Sequence, residues 1–333
     1  MKIVYFGTDV FLSCFEYFVR HHHIMALYTY HNGEDYFTEY AIVRRARELG
    51  IPVHYESVTE EEILRYMEDG CGLFFLAEYN RLLPVPPGSS FRGINVHSSL
   101  LPQGRSYYPI ECAMERGLTA TGVTLHKVTE RLDGGEILAQ RRIPVPPEED
   151  SVDVYLRCGA AAREMLEEVL GDFEGAWRRA WGQTDRLPYW RRPAPGLLTL
   201  DHGQTAAQAL DMFRRYNSLC QVNLRGRWHH VTALEPGTAP LPARSAVWPR
   251  TAGCMGSRTG TCACMYIQFR RKSHETTTVE FEPSAQAPAG AGDDGGGTRD
   301  RADPGDFKGI PGPDGGVLHK DGLRPGVHRR PSD

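Results

Sequence analysis

The chain has 333 residues, 41% of them hydrophobic, and a formal net charge of −4. That composition supports a sizeable core in two domains, or in one large domain with an appendage, and excludes a broadly basic nucleic-acid binder. No run of roughly eighteen apolar residues is present to form a membrane span. Met1-Lys2 leads directly into a strand-like IVYF without an apolar leader, so a cytoplasmic protein is expected. Cys14, Cys71, Cys112, Cys158 and Cys220 are scattered singly, as suits reduced thiols, and Cys254, Cys262 and Cys264 match no common zinc spacing.

Lys2 to Phe6 predicts a strand, Gly7-Thr8-Asp9 a turn, and the residues to about Arg20 a helix. One glycine at this turn is not a dinucleotide fingerprint, so no dinucleotide is expected there. His21-His22-His23 falls at the helix end. Adjacent helical residues share no face, and positive charge suits a helix C-terminus, so a solvated run is expected rather than a metal site. Ile24 to Tyr30 predicts a second strand, His31 to Thr38 a polar loop, and the residues to about Leu49 a helix. Gly50-Ile51-Pro52-Val53 closes that helix and starts a third strand. Thr59 and Glu62 form a capping-box pattern, and Cys71 to Leu76 is a fourth apolar strand. The alternation predicts an α/β fold, a Rossmann-like doubly wound and mostly parallel sheet, with ligands at the carboxyl ends of its strands.

Asn95 and His97 stand two apart in a fifth strand, which puts both on one face. Leu100-Leu101-Pro102 ends that strand, Tyr107 to Arg116 predicts a helix, and Val123 and Leu125 begin another strand. Asp133 follows in a turn with Gly134 and Gly135. Taken singly, Asn95 is a strand end, His97 a satisfied core histidine and Asp133 a turn residue. Together, an amide, an imidazole and a carboxylate are what acyl transfer to an amine requires: two N–H donors for an oxyanion and a carboxylate to hold the imidazole charged. The loop Tyr79 to Pro84 combines apolar side chains with spare backbone polar groups, a composition suited to a flat heterocycle.

Four segments fall in order: Asn95-Val96-His97, Ser99 to Pro102, Gly122 to Thr124, and Leu132 to Gly135. This pattern resembles the 10-formyltetrahydrofolate-dependent formyltransferases, which include methionyl-tRNA, glycinamide ribonucleotide and sugar N-formyltransferases. The resemblance spans about Met1 to Pro236 and is strongest from Gly93 to Leu138. It implies catalytic roles for Asn95, His97 and Asp133, and 10-formyltetrahydrofolate as formyl donor, with no metal required. Arg81, Leu82 and Leu83 are implied in the folate pocket, with Val128 to Leu132 as its other wall. Asp9, Asn32, Tyr107 and Tyr108 are assigned to the acceptor, the tyrosines as surfaces for stacking on a sugar or base. Thr124 is a candidate support for Asp133 or a water, with packing alone as the other reading. Arg105-Ser106 and Ser98 depart from the residues usual in relatives, on the acceptor side.

The loop after the second strand is short and acidic (His31-Asn32-Gly33-Glu34-Asp35), whereas relatives acting on tRNA carry a longer basic insertion there. Tyr28 to Val53 is similar to the UDP-4-amino-4-deoxy-arabinose formyltransferase type. A nucleotide-linked amino sugar is therefore the expected small-molecule partner. Methionyl-tRNA is the alternative, as is a folate-binding non-catalytic or formyl-folate hydrolase relative. The sequence gives no signal for oligomeric state.

Gln140 to Val145 predicts a strand, and Ser151 caps a long helix to Leu170. Val154, Leu156, Met165, Leu166, Val169 and Leu170 fit its buried face loosely. Asp172 to Pro195, rich in Arg and Trp, is expected to cover the first domain. Thr205 caps a helix to Tyr216, and Cys220 to Leu224 with Trp228 to Ala233 flank a hairpin turn at Arg225-Gly226-Arg227. The expected division is a catalytic domain over 1–180, a small helix-plus-hairpin module over 181–240, and a low-complexity tail over 241–333. No fold is expected in the tail before Glu275, and disorder from there on. The tail resembles nothing the family carries, so a frameshifted translation is one reading of it.

Overall fold

The computed structural model describes residues 1–30, 40–184, 187–191, 198–201, 204–224, 227–237, 246–247, 264–270 and 276–281. Its first sheet grows from the run of β-branched and aromatic residues at β1 (Lys2–Gly7), buried from Ile3 onward. Around β1 lie β2 (His23–Tyr28), β3 (Val53–His54), β4 (Cys71–Ala77), β5 (Gly93–His97), β6 (Ala120–Lys127) and β7 (Ile137–Pro144), in the order β3-β2-β1-β4-β5-β6-β7. The first five strands in that order are parallel, β6 pairs antiparallel with β5, and β7 pairs antiparallel with β6 at the edge. The mostly parallel, doubly wound reading of the sequence holds.

Helices α1 (Leu12–His21), α2 (Ala41–Glu48) and α5 (Ser151–Gly171) cover one face, and α3 (Glu60–Glu68) packs on the other. The Tyr5 ring meets Phe15 edge-on at 5.2 Å and Phe75 at 5.5 Å, all fully buried. Burying each such side chain contributes about 1.5–3 kcal/mol. At the end of α1, His21 rests on Tyr17 at 4.8 Å and His22 on Phe18 at 5.7 Å. Among the described residues, no group of three or more His, Cys, Asp or Glu is placed to hold a metal ion, and no helix is long and apolar enough to cross a membrane.

Local capping signals were read correctly at two helices. Thr59 Oγ1 accepts from the Glu62 N–H at 3.2 Å while Glu62 accepts from the Thr59 N–H at 2.8 Å. Thr205 and Gln208 form the same box on α7 (Ala206–Tyr216). The cap of α5 is corrected: Asp150, not Ser151, accepts the Asp153 N–H, at 3.0 Å. Leu156 is also corrected, being 66% exposed. The inner face of α5 is filled by small residues such as Cys158, Gly159 and Ala162, which let Ser13 Oγ reach the Gly159 carbonyl at 2.9 Å. Helix α4 (Pro109–Glu115) starts later than Tyr107, because proline is suited to a first helical position. A helix that was not expected, α6 (Phe173–Arg179), is capped by Asp172, which accepts the Gly175 N–H at 3.2 Å.

The second sheet has the order β11-β13-β12-β10-β9-β8. It contains β8 (Thr199–Leu200), β9 (Gln221–Leu224), β10 (Arg227–Gly237), β11 (Ala246–Val247), β12 (Cys264–Arg270) and β13 (Thr276–Phe281). The expected hairpin is β9 with β10, paired antiparallel from Leu224 and Arg227. Leu200, Met212, Tyr216, Val222 and Val231 form its core with α7. The expectation of no fold beyond Leu241 and disorder from Glu275 is corrected in part. Strand β12 pairs with β10, and β13 pairs with β12 from Met265–Phe281 to Arg270–Thr276. The rest of the expected tail lies outside the described residues.

Candidate active site

Strand β5 delivers Asn95 and His97 to one face at its carboxyl end, and antiparallel β6 sets His126 opposite Asn95 and Thr124 opposite His97. Thr124 Oγ1 donates to the Ser99 carbonyl at 2.6 Å and accepts from the Leu101 N–H at 3.3 Å and from Gln140 Nε2 at 2.9 Å. One donor and two lone pairs are thereby used, so Thr124 stitches down the loop that leaves His97. Its role is in that loop, not at Asp133. Gly122 is required beneath it, since a Cβ there would stand 2.3 Å from Leu100 Cδ2.

The proton positions on His126 follow from its partners. Nδ1 lies 2.9 Å from the Lys127 carbonyl, which only accepts, so Nδ1 carries the hydrogen. Nε2 lies 3.0 Å from Asn95 Nδ2, which only donates, so Nε2 offers a lone pair. Burial pushes the His126 pKa down to about 4, against the attraction of Asp133, so the ring is neutral at neutral pH. The neutral ring fixes the Asn95 amide with one N–H committed and a second left for an incoming oxygen.

His97 Nε2 donates to the Gly104 carbonyl at 2.9 Å, and Nδ1 faces Asp133 Oδ1 at 3.7 Å. The same carboxylate oxygen stands 3.8 Å from His126 Nε2. These separations exceed a hydrogen bond and lie within reach of charge pairing. Asp133 has φ +48, a left-handed conformation that aspartate tolerates better than most side chains. Gln183 holds it there, donating through Nε2 to the carbonyls of Asp133 at 2.9 Å and Gly135 at 2.6 Å. Gln183 Oε1 in turn accepts from the buried Arg105 at 2.9 Å, and Tyr189 donates to the Leu132 carbonyl at 2.7 Å. A Cβ at Gly135 would stand 1.8 Å from the Lys127 carbonyl oxygen, so only glycine closes this turn.

A cleft of about 360 Å³ opens over these groups. Asn95, His97, Asp133, Arg81, Leu82, Leu83, Val128, Leu132, Tyr107 and Tyr108 all line it, ten of the residues expected from the sequence brought to one place. Asp9 is corrected: its carboxylate accepts the Ala41 and Ile42 N–H groups, both at 2.8 Å, capping α2, and it does not line the cleft. Asn32 lies outside the described residues. Arg81 is committed to the Tyr55 carbonyl at 2.8 Å, while Leu82 is 61% exposed and Leu83 is buried. The N–H and C=O groups of Arg81 to Leu83 take no main-chain partner among the described residues. Leu76, Val96 and Val128 give the adjoining wall its apolar surface. Unpaired main-chain groups beside apolar walls fit a flat, hydrogen-bonding ring such as a pterin.

Sequence reasoning missed His126, Gln183 and Glu78, and marked Arg105 only as a departure from relatives. Glu78 lines the cleft at φ +57, accepts from Ser98 Oγ at 3.4 Å, and receives the Tyr30 hydroxyl on its carbonyl at 3.3 Å. The available signals were an isolated histidine two residues past Thr124 and an isolated glutamate closing an apolar strand.

Residues 38–170 match the family described as Formyl transferase. A methionyl-tRNA formyltransferase from Listeria innocua is 30% identical over 181 residues, covering 52% of this chain and 58% of that protein. This chain therefore spans little more than half the length of that relative. A sugar N-formyltransferase structure from Shewanella is similar in fold with a TM-score of 0.53 at 17% identity, covering 70% of this chain and 97% of that one. A variant of HypX from Aquifex aeolicus gives a TM-score of 0.57 at 17% identity, covering 84% of this chain and 47% of that one. The sequence motifs and the sheet order agree with the match of residues 38–170 to a formyl transferase domain.

Proposed function

We propose that the chain is an N-formyltransferase that passes the formyl group of 10-formyltetrahydrofolate to the primary amine of a nucleotide-linked amino sugar. The observation that carries this reading is the convergence of Asn95, His97 and Asp133 on one cleft, with His97 Nδ1 at 3.7 Å from the carboxylate. The bound donor would supply a formyl carbon attached to nitrogen, held against Arg81 to Leu83 and the Val128–Leu132 wall. Asn95 offers its free N–H to the oxygen that becomes negative as the amine adds. Protonated His97 adds a positive charge near that oxygen, and Asp133 holds the imidazolium in place and relays a proton from the attacking nitrogen.

Support for a sugar acceptor comes from the acidic loop at Glu34-Asp35, from Tyr107 and Tyr108 on the cleft, and from a fold likeness that covers 97% of a sugar N-formyltransferase chain. Methionyl-tRNA is the second reading, favoured by the name of the sequence relative. The deciding measurement is tetrahydrofolate release with UDP-4-amino-4-deoxy-arabinose and, separately, with methionyl-tRNA. The sugar is expected to support turnover and the tRNA is not; the reverse result refutes the acceptor assignment. His97→Ala and Asp133→Ala are each expected to lower kcat by about 10²–10³ or more with the fold retained. Near-normal turnover by either variant refutes the chemistry.

A further inference from the structure

Glu78 follows the last residue of β4 and lies on the same cleft as Asn95, His97 and Asp133. Its left-handed backbone, φ +57, persists only where the surroundings impose it. Its carboxylate accepts one hydrogen bond, from Ser98 Oγ at 3.4 Å, and no Lys or Arg pairs with it among the described residues. The groups acting on it are Asp133 from the turn after β6, Glu111 from α4, Tyr155 and Cys158 from α5, and Tyr30 beyond β2. All are acidic or neutral, and the two histidines of the cleft are engaged with Gly104, Lys127 and Asn95. Burial and the neighbouring carboxylates push the Glu78 pKa up to about 8. A carboxyl group in this setting is short of a cation and able to exchange a proton near neutral pH.

We propose that Glu78 receives the acceptor's ammonium group and takes its first proton, so that the acceptor is an amine that arrives charged. This rests on the formyltransferase reading and specifies its substrate side. The acceptor R–NH₃⁺ gives one proton to the Glu78 carboxylate and becomes R–NH₂. Its freed lone pair forms the new C–N bond at the formyl carbon, and the bond from that carbon to the folate nitrogen breaks. The second amine proton passes by way of Asp133 to the departing nitrogen, and Glu78 returns its proton to solvent. The sum consumes R–NH₃⁺ and the formyl donor and yields the formamide, tetrahydrofolate and one proton. Only ionised Glu78 can act, so turnover rises as pH rises through its titration.

The test compares wild type with Glu78→Gln by tetrahydrofolate release, using UDP-4-amino-4-deoxy-arabinose over a range from about pH 6 to about pH 10. Glu78→Gln is expected to lose about 10²-fold in kcat/KM at neutral pH, and the deficit is expected to close as the pH passes the amine's own pKa. Glu78→Asp, which keeps the carboxylate, is expected to retain part of the rate and serves as the working variant if Glu78→Gln melts early. A ratio of variant to wild type that is near one throughout, or that is depressed equally at every pH, overturns the proposal while leaving formyl transfer standing. No release by the wild-type protein with this amine overturns both.

Discussion

Asn95 and His126 act as a unit in this site, because the neutral imidazole accepts one amide N–H and so aims the other. Replacing His126 by Leu leaves that N–H buried without an acceptor, and kcat is expected to fall about 10²-fold, as for loss of an oxyanion donor. Because both residues serve one interaction, the Asn95→Ala/His126→Leu double variant is expected to be no slower than Asn95→Ala alone. Multiplying losses in steady-state kinetics would show the pairing to be incidental. At this scale the side chains proposed to react were visible in the sequence, and what orients them was not. Asn95 and His97 are two apart on one strand, so their shared face follows from local geometry. His126 joins them only through the antiparallel register of β5 and β6, and Gln183 only through a segment fifty residues beyond Asp133. Asp9 was misassigned for the same reason: the N–H groups it caps belong to a helix more than thirty residues away.

At the scale of elements, the turn from β6 to β7 is tightly constrained at Gly135. Gly135→Ala would drive a methyl group into the Lys127 carbonyl, and the backbone has to move to admit it. A loss of about 1–3 kcal/mol in stability is expected, together with loss of formyl transfer as Asp133 shifts from His97. A thermal melt and turnover matching wild type would show that the turn is not held as described. The caps at Thr59 and Thr205 were legible because a capping box is complete within four residues. Helix α5 was legible in extent but not in facing, since apolarity favoured Leu156 while close packing is made by Cys158, Gly159 and Ala162. Strands β12 and β13 were missed because polar composition around them masked what is set by the pairing of β12 with β10 and of β13 with β12.

For the whole molecule, buried ionisable groups near the cleft set how stability varies with pH. Glu111, bonded to Tyr155 at 3.1 Å, has its pKa pushed up to about 7 by burial, and Glu78 is pushed up to about 8. Both folded values lie above the ordinary 4.5, so their contribution is full below that value and is lost as pH rises through 7 and then 8. His126 works oppositely: its contribution is full above 6.5 and is lost as pH falls through about 4. Above pH 7 only the carboxyls still titrate among these three, at about 1.4 kcal/mol per unit of separation. The melting temperature is expected to drop by several degrees between about pH 7 and pH 9, and less so in Glu78→Gln, whose carboxyl is the one titrating most in that window. Equal slopes for the two proteins in a pH series of melts would contradict the assignment. The domain boundary expected at residue 180 falls just short of Gln183, whose amide reaches back to Asp133 and Gly135. A chimera that trades everything after that boundary for the C-terminal half of a protein of like fold would inherit the whole first sheet and still be missing the clasp on its aspartate, so recombination between such chains must break later than the composition suggests.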